Sequence, residues 1–301
     1  MSKFFPGHVL NFVLEGRFQL IPIEVDIVIP FFNRENWLSA AIESVLKQTH
    51  PFWKLFLVND GSSDGSLDLA RSWAQKDKRI QVLSQVNRGV SAARNLGVSK
   101  GKSPWVAFLD SDDQWKPKKL EKQVCAIMEQ PKLLFFHCDE IWIRLGVRVN
   151  PHKKHKKMGG QIFENCLPLC CISPSASLVH RNLLEELGGF REDFPVCEDY
   201  DLWLKVTEAN TIGYVDEALI TKNGGHEDQL SQSRHSMDHF RCISLITVLE
   251  RNQINTQQKR AVLNTLQKKI QILCKGARRH QNLNHYDLWF GWQQFIESAG
   301  G

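Results

Sequence analysis

Apolar residues fall in short blocks separated by polar, glycine-bearing turns, and two kinds of spacing alternate along the first third of the chain. Val25 to Pro30 is an apolar run of strand type, stopped at Pro30 and followed by Phe31, Phe32, Asn33 and Arg34. Between Trp37 and Lys47, Leu38, Ala41, Ile42, Val45 and Leu46 repeat at helical spacing, and Gln48 to Pro51 closes that segment before a second strand over Lys54 to Val58. The pattern predicts a βαβ unit. The second strand runs into Asn59, Asp60, Gly61, Ser62, Ser63, Asp64 and Gly65, a turn that opens an amphipathic helix to about Gln75. A third strand is expected over Ile80 to Leu83, then Asn87, Arg88, Gly89 and a helix carrying Ala92, Ala93, Arg94 and Asn95. A fourth run, Trp105 to Leu109, ends in Asp110, Ser111, Asp112 and Asp113. Strands alternating with helices predict a largely parallel α/β sheet, in which ligands gather at the carboxyl ends of the strands.

The acidic cluster carries the first chemical signal. Three carboxylates in four residues repel one another at the end of a buried strand unless a cation or solvent relieves them. Hard oxygen donors of this kind suit Mg²⁺ or Mn²⁺ held together with phosphates. Taken alone, the cluster reads equally as a solvated turn, because Asp and Ser are ordinary turn formers. Its company decides between the two.

That company stands in order as Ile29-Pro30-Phe31-Phe32-Asn33-Arg34, Ser44-Val45-Leu46-Lys47-Gln48-Thr49, Val58-Asn59-Asp60-Gly61-Ser62-Ser63-Asp64, Asn87-Arg88-Gly89-Val90-Ser91-Ala92-Ala93-Arg94-Asn95 and Phe108-Leu109-Asp110-Ser111-Asp112-Asp113. Gly188-Gly189-Phe190 and Glu198-Asp199-Tyr200-Asp201-Leu202-Trp203-Leu204 follow. With these motifs the chain resembles the family 2 glycosyltransferases of GT-A fold, over about Val25 to Ser233. The resemblance implies an α/β fold with a Rossmann-like, mostly parallel sheet and flanking helices, plus a carboxyl-terminal helical extension. The chain then divides into an extension over 1–24, a catalytic domain over 25–233 and a helical region over 234–301. The catalytic domain splits into a nucleotide-binding half, 25–115, and an acceptor half, 116–233.

The same resemblance implies roles. Pro30, Phe32 and Asn33 lie on the nucleotide side, with Phe32 beside the base. Asp60 matches a carboxylate that accepts a hydrogen bond from a pyrimidine N–H, and Asn59 replaces an aspartate common in the family. Asp112 matches a residue near the ribose and metal, and Asp113 the direct metal ligand. Arg94 is similar to an arginine close to the nucleotide, although an exposed helix cation is the competing reading. Asp199 matches the general base and Glu198 its positioning neighbour, while Asp201 is a cap for a helix over Leu202 to Val206. His226 stands where a histidine reaches the metal or diphosphate; a plain surface loop is the other reading. The implied reaction is inverting transfer of a sugar from a nucleotide-diphosphate donor, UDP-linked first, to a hydroxyl of a cell-envelope glycan or lipid-linked acceptor. Asp199 removes the hydroxyl proton, and Mn²⁺ or Mg²⁺ neutralises the leaving diphosphate.

Composition narrows the alternatives. With 301 residues, 42% hydrophobic and 24% charged, the chain is globular and long enough for an α/β core with an appended unit. Its 8 cysteines show no paired zinc spacing and read as reduced thiols. No apolar run is long enough to span a bilayer, and Met1 to Glu24 lacks a signal-peptide cleavage pattern, so a cytoplasmic location is expected, at the inner face of the membrane where contact occurs. Contact surfaces for that face are the basic segment Pro151 to Lys157 and the carboxyl-terminal region with Tyr286, Trp289, Phe290, Trp292 and Phe295; for the first a solvated loop, and for the second packing, is the simpler reading. A nucleic-acid partner is disfavoured by acids at the expected pocket and by the lack of a recognition motif. A nucleotidyltransferase would need a glycine-rich, basic phosphate loop after Pro30. A non-catalytic glycan-binding or regulatory protein on the same fold remains the alternative to an enzyme.

Overall fold

In the computed structural model, residues 12–14, 17–19, 22–150, 156–225, 237–279 and 288–294 are described. Strands β1 (Phe12–Leu14) and β2 (Arg17–Gln19) form a separate antiparallel ribbon. The main sheet begins with β3 (Val25–Phe31), α1 (Leu38–Leu46), β4 (Trp53–Asp60), α2 (Ser66–Lys76), β5 (Ile80–Gln85), α3 (Val90–Lys100) and β6 (Trp105–Phe108). Each helix returns the chain to a parallel strand. The sheet continues through β7 (Gln114–Trp115), α4 (Lys119–Glu129), β8 (Phe135–Arg144), β9 (Val147–Val149), α5 (Phe163–Cys166), β10 (Leu178–His180), α6 (Arg181–Glu186), α7 (Glu198–Ala209) and β11 (Gly213–Gly224). The order across it is β5-β4-β3-β6-β10-β8-β11-β7, with β9 paired to β8. Strands β5, β4, β3 and β6 are parallel, β10 runs against β6 and β8, and β11 runs parallel to β8.

Alternation along the strands builds two cores. Ile27, Ile29, Leu55, Leu57 and Ala107 face one side, where Leu38 and Ile42 of α1 and Leu120 and Ile127 of α4 cover them. Val28, Phe56, Val58, Val106 and Phe108 face the other, under Ala93 of α3 and Leu202, Trp203 and Val206 of α7. That second core continues through α8 (Met237–Arg251) and α9 (Thr256–Arg279), whose Leu245, Val248, Val262, Leu266 and Ile270 are buried in it. Trp289 donates Nε1–H to His239 at 3.0 Å and Trp292 stacks on the same ring, so part of the terminal aromatic set packs onto α8. Tyr286 and Phe295 lie outside the described residues.

Several boundaries move from those expected. Pro30 lies inside β3, paired with Val58 of β4. Pairing to β6 has already ended at Val28 opposite Phe108, so a residue without an N–H is tolerated there. Strand β4 extends through Asn59 and Asp60, which pair with Ser84 and Gln85. Helix α7 begins at Glu198, so Asp201 sits in its first turn instead of capping a later helix; its carboxylate meets Lys205 Nζ at 2.6 Å. In the basic segment, 151–155 lie outside the described residues, and Lys157 is buried against Glu140 at 3.1 Å instead of being solvated.

A buried charge fastens the sheet to its surroundings. Asp26 on β3, fully buried, accepts hydrogen bonds from Ser103 N at 2.7 Å, Ser103 Oγ at 2.8 Å and Arg181 Nη2 at 2.6 Å. Arg181 also donates to the carbonyls of Ser103 and Val98, joining α6 to the α3–β6 turn. Removing one partner of such a pair leaves the other uncompensated in a low-dielectric site. Asp26→Ala is therefore expected to cost about 3–5 kcal/mol, read as a lower midpoint in urea unfolding.

Candidate functional site

The parallel strands β3, β4, β5 and β6 end on the same edge, and their following loops build one wall of a crevice where the order turns from β4 to β6 across β3. Hydrogen bonds knit the first two loops together. Asn33 N donates to Ser62 Oγ at 3.0 Å, Ser63 N to Asn33 Oδ1 at 2.9 Å, and Arg34 N to Ser66 Oγ at 2.7 Å. Asn59 Oδ1 accepts from Ser62 N at 3.0 Å, a turn contact internal to the loop. Phe32 is held on this rim 43% exposed, an apolar ring offered to solvent.

Asp60 is more occupied than its expected role suggests. Oδ1 accepts from Gln85 Nε2 at 2.7 Å and Arg88 N at 2.9 Å, and Oδ2 accepts from Gly89 N at 2.9 Å. A carboxylate has about four acceptor positions, so one on Oδ2 is left for a further donor. Its present task is to fix the start of α3.

Helix α3 delivers Arg94. Gly97, one turn further on, lets the helix lie close to β3: a Cβ there would come within 2.5 Å of Val28 Cγ1. Arg94 is 3% exposed, which rules out a solvated helix cation. Nη1 donates to Glu198 Oε1 at 2.6 Å and Nη2 to Asp110 Oδ1 at 2.8 Å, and the guanidinium lies 5.0 Å from the Phe190 ring centre. Burial works against its charge, but Asp110 and Glu198 outweigh that and hold the proton more firmly than usual. Burial likewise raises the Glu198 carboxyl above its ordinary range, with Arg94 opposing and Asp199 reinforcing the rise. Asp199, the next residue, turns elsewhere. Its Oδ1 accepts from Tyr200 N at 2.7 Å and its Oδ2 from the Cys170 thiol at 3.4 Å.

Asp199 lines a cleft of about 580 Å³ together with Glu140, Trp142, Lys157, Lys222 and Asn223. Lys222 stands among carboxylates: burial disfavours its charge, but Glu140, Asp113, Asp110 and Asp199 keep it protonated beyond its ordinary range. Burial alone would raise Glu140, yet Lys157 and Lys222, with hydrogen bonds from Ser173 and Trp142, bring it down to about 2. Glu140 and Lys222 were not among the residues expected here, and Lys157 was expected in a solvated or lipid-facing segment. Lys222 carried a legible signal, since it follows the apolar pair Leu219-Ile220 much as Asp60 and Asp113 follow theirs.

The acidic cluster divides into distinct environments. Asp110 is tied to Arg94, and Asp112 is partly exposed, its carbonyl accepting from Asn223 Nδ2 at 2.8 Å. Asp113 is 1% exposed and accepts from Asn223 N at 3.0 Å and Ser175 Oγ at 2.7 Å. Burial pushes its carboxyl well above the carboxylate range, Lys222 opposes this, and Asp112 and Asp110 add to it. Among the described residues no group of three or more His, Cys, Asp or Glu is arranged to hold a metal, and His226 lies outside them. The donors fit a hard divalent ion that takes one or two carboxylates and completes its shell with water and substrate phosphate. A cation there would relieve the repulsion that Asp113 bears.

The family described as Glycosyl transferase family 2 matches residues 26–188. The chain belongs to glycosyltransferase family 2. A Rickettsia felis "Uncharacterized glycosyltransferase" is 32% identical over 225 residues, 74% of this chain and 37% of the relative. The chain thus spans little more than a third of that relative's length. The Escherichia coli protein named UDP-Glc:alpha-D-GlcNAc-diphosphoundecaprenol beta-1,3-glucosyltransferase WfgD is 31% identical over 72% of this chain and 81% of its own. Among solved structures, S. aureus TarS 1-349 in complex with UDP-GlcNAc superimposes with a TM-score of 0.64 over 92% of each chain at 16% identity. That likeness establishes the GT-A fold of this family 2 chain.

Two expectations follow from the charges. Arg94→Met should cost about 3 kcal/mol in urea unfolding by leaving Glu198 and Asp110 unpaired, and adding Glu198→Gln should recover part of it, a coupling visible in a double-mutant cycle. Glu140 is lowered from 4.5 to about 2 in the fold, so its stabilisation is present above pH 4.5 and lost as pH falls through about 2. Lys157→Met should therefore move acid unfolding, followed by circular dichroism, to higher pH.

Proposed function

We propose that the chain is an inverting, metal-dependent glycosyltransferase that moves a sugar from a UDP-linked donor to a hydroxyl of a lipid-linked or other cell-envelope glycan, working at the cytoplasmic face of the membrane. The observation that carries this reading is the Arg94 bridge. It joins Asp110, on the donor side, to Glu198, the immediate neighbour of Asp199 on the cleft side. Donor and acceptor groups are thereby held in one rigid frame.

Phe32 packs against the base, with Pro30 and Asn33 shaping the rim beside it, and the remaining acceptor position on Asp60 Oδ2 receives a pyrimidine N–H. Asp112 meets the ribose hydroxyls. Asp113, with Asp112 and substrate phosphate, would hold Mn²⁺ or Mg²⁺, which supplies charge neutralisation for the departing diphosphate. His226 is a further candidate for contact with the metal or the diphosphate in this reading. Glu198 is engaged by Arg94, which leaves Asp199 as the carboxylate open to the cleft. Asp199 takes the proton from the acceptor hydroxyl as its oxygen attacks the anomeric carbon opposite the leaving phosphate. Attack from that side inverts the anomeric centre. The WfgD name supports a UDP-sugar donor and a diphosphate-lipid acceptor for the shared architecture. A purely glycan-binding protein has no need of a cleft-lining carboxylate in the field of a charged Lys222.

Thermal-shift titration with UDP, dTDP, GDP and CDP, with and without Mn²⁺ or Mg²⁺, tests the donor site. UDP with metal is expected to stabilise the protein by about 2.7 kcal/mol at a hundredfold excess over Kd. Asp113→Ala should lose the metal-supported shift, whereas Asp199→Asn should keep it and lower transfer by roughly 10²–10⁴-fold. Normal transfer by Asp199→Asn would remove it as the base.

A further inference from the structure

Strands β8 and β9 form a hairpin at the outer end of the cleft. Arg144 pairs with Val147, so Leu145 and Gly146 are a two-residue loop, and both have positive φ, 49° and 78°. This is the geometry of a primed hairpin turn, in which Asn-Gly or Asp-Gly is the natural choice. A leucine at such a position is strained, and it gains little burial in return: Leu145 is 76% exposed and Val147 65% exposed. The hairpin also joins the cleft. Arg144 and Val149 line it beside Trp142 and Ile143, Leu145 N donates to Gly224 O at 3.1 Å, and a Cβ on Gly225 would lie 3.1 Å from Leu145 Cγ.

The charge on the hairpin itself has one sign. Arg144 and Arg148 are exposed on either side of the apolar tip, and Lys156 is exposed where the described chain resumes. The sequence from Ile141 to Phe163 contains no Asp or Glu. Exposed aliphatic side chains ringed by arginine match the boundary of an anionic bilayer, where the tip leaves water and the cations meet headgroup phosphates. A soluble polyanion would be served by the arginines without the strained leucine.

We propose that the β8–β9 hairpin docks on an anionic lipid surface through Leu145 and Val147, with Arg144 and Arg148 contacting the headgroups. Docking brings the cleft mouth to the level of the headgroups. There a saccharide carried on a lipid diphosphate enters towards Asp199, a consequence that rests on the proposed glycosyl transfer, whereas the docking does not.

Co-sedimentation with vesicles of phosphatidylcholine alone, and with vesicles that also contain phosphatidylglycerol, tests this without donor or acceptor. A failure of the transferase reading would therefore leave the result untouched. The full chain is expected to bind the phosphatidylglycerol vesicles, with affinity falling as salt rises. Leu145→Asn relieves the turn, so its Tm should be unchanged or higher while vesicle binding drops by roughly tenfold. Arg144→Glu with Arg148→Glu should abolish the preference for the anionic vesicles. Equal binding to both vesicle types overturns the proposal. So does wild-type binding by Leu145→Asn, which would mark a polyanion site, or self-association of the chain that the same substitution abolishes.

Discussion

Almost everything about the site depends on one guanidinium placed where water cannot reach it. Arg94 neutralises two carboxylates that belong to different parts of the chain, Asp110 after β6 and Glu198 at the start of α7. A lysine could approach both oxygens but could not present two N–H groups in a fixed fork. The depth of the arginine follows from Gly97, because α3 would have to lift away from β3 to house any side chain there. The amino end of α7 favours the negative charges of Glu198 and Asp199 through its helix dipole and the Tyr200 N–H that donates to Asp199. Glu198 is spent on architecture, and the adjacent Asp199 is the base of the proposed transfer.

The charge pattern beyond Arg94 repeats the same logic at the far side of the acidic cluster. Lys157 meets Glu140, and Lys222 lies in the combined field of Glu140, Asp113, Asp110 and Asp199. Paired buried ions contribute little net stability, because desolvation consumes most of their attraction. They do fix which carboxylates are ionised. Glu140 is held charged while burial drives Asp113 towards its neutral form, so a cation arriving at Asp113 would add to Lys222 and Ser175 in favouring its charge.

The parallel half of the fold was legible because its signals are local. Strand period, helical spacing and polar turns sit within a dozen residues of one another, and the sequence places Asp60, Arg94, Asp112 and Asp113 at strand ends and on α3 as the fold does. The burial of Arg94 was not legible, since a helix cation shows its depth only when Gly97 and Glu198 are brought against it. Lys157 was hidden for the opposite reason: it ends a run of basic residues that looks solvated throughout. The partnership of Glu140 with Lys222 depends on the parallel register of β8 and β11, which slips between Val215 and Ala218 and again before Ile220. Two irregularities in one ladder lie beyond what alternation can specify. Asp201 misled because acidic residues mark helix starts, and three of them crowd the first turn of α7.

The two halves of the sheet are suited to different demands. On the side of β3, β4 and β6, parallel strands buried on both faces end in loops cross-linked by Asn33, Ser62, Ser63 and Ser66, a rigid frame appropriate to a constant ligand such as a nucleotide. On the side of β8, β9 and β11, strands are mixed in direction, bulged and prolonged into a hairpin that leaves the body of the protein. The inner part of that side is tied to the frame, since Asn223 of β11 donates to Asp113 at 3.0 Å, whereas the hairpin tip from Arg144 to Arg148 is exposed and few buried contacts restrain it. The leucine at the hairpin turn belongs to this exposed tip: its left-handed backbone weakens the turn without touching the buried frame, and the proposed lipid contact would compensate for it.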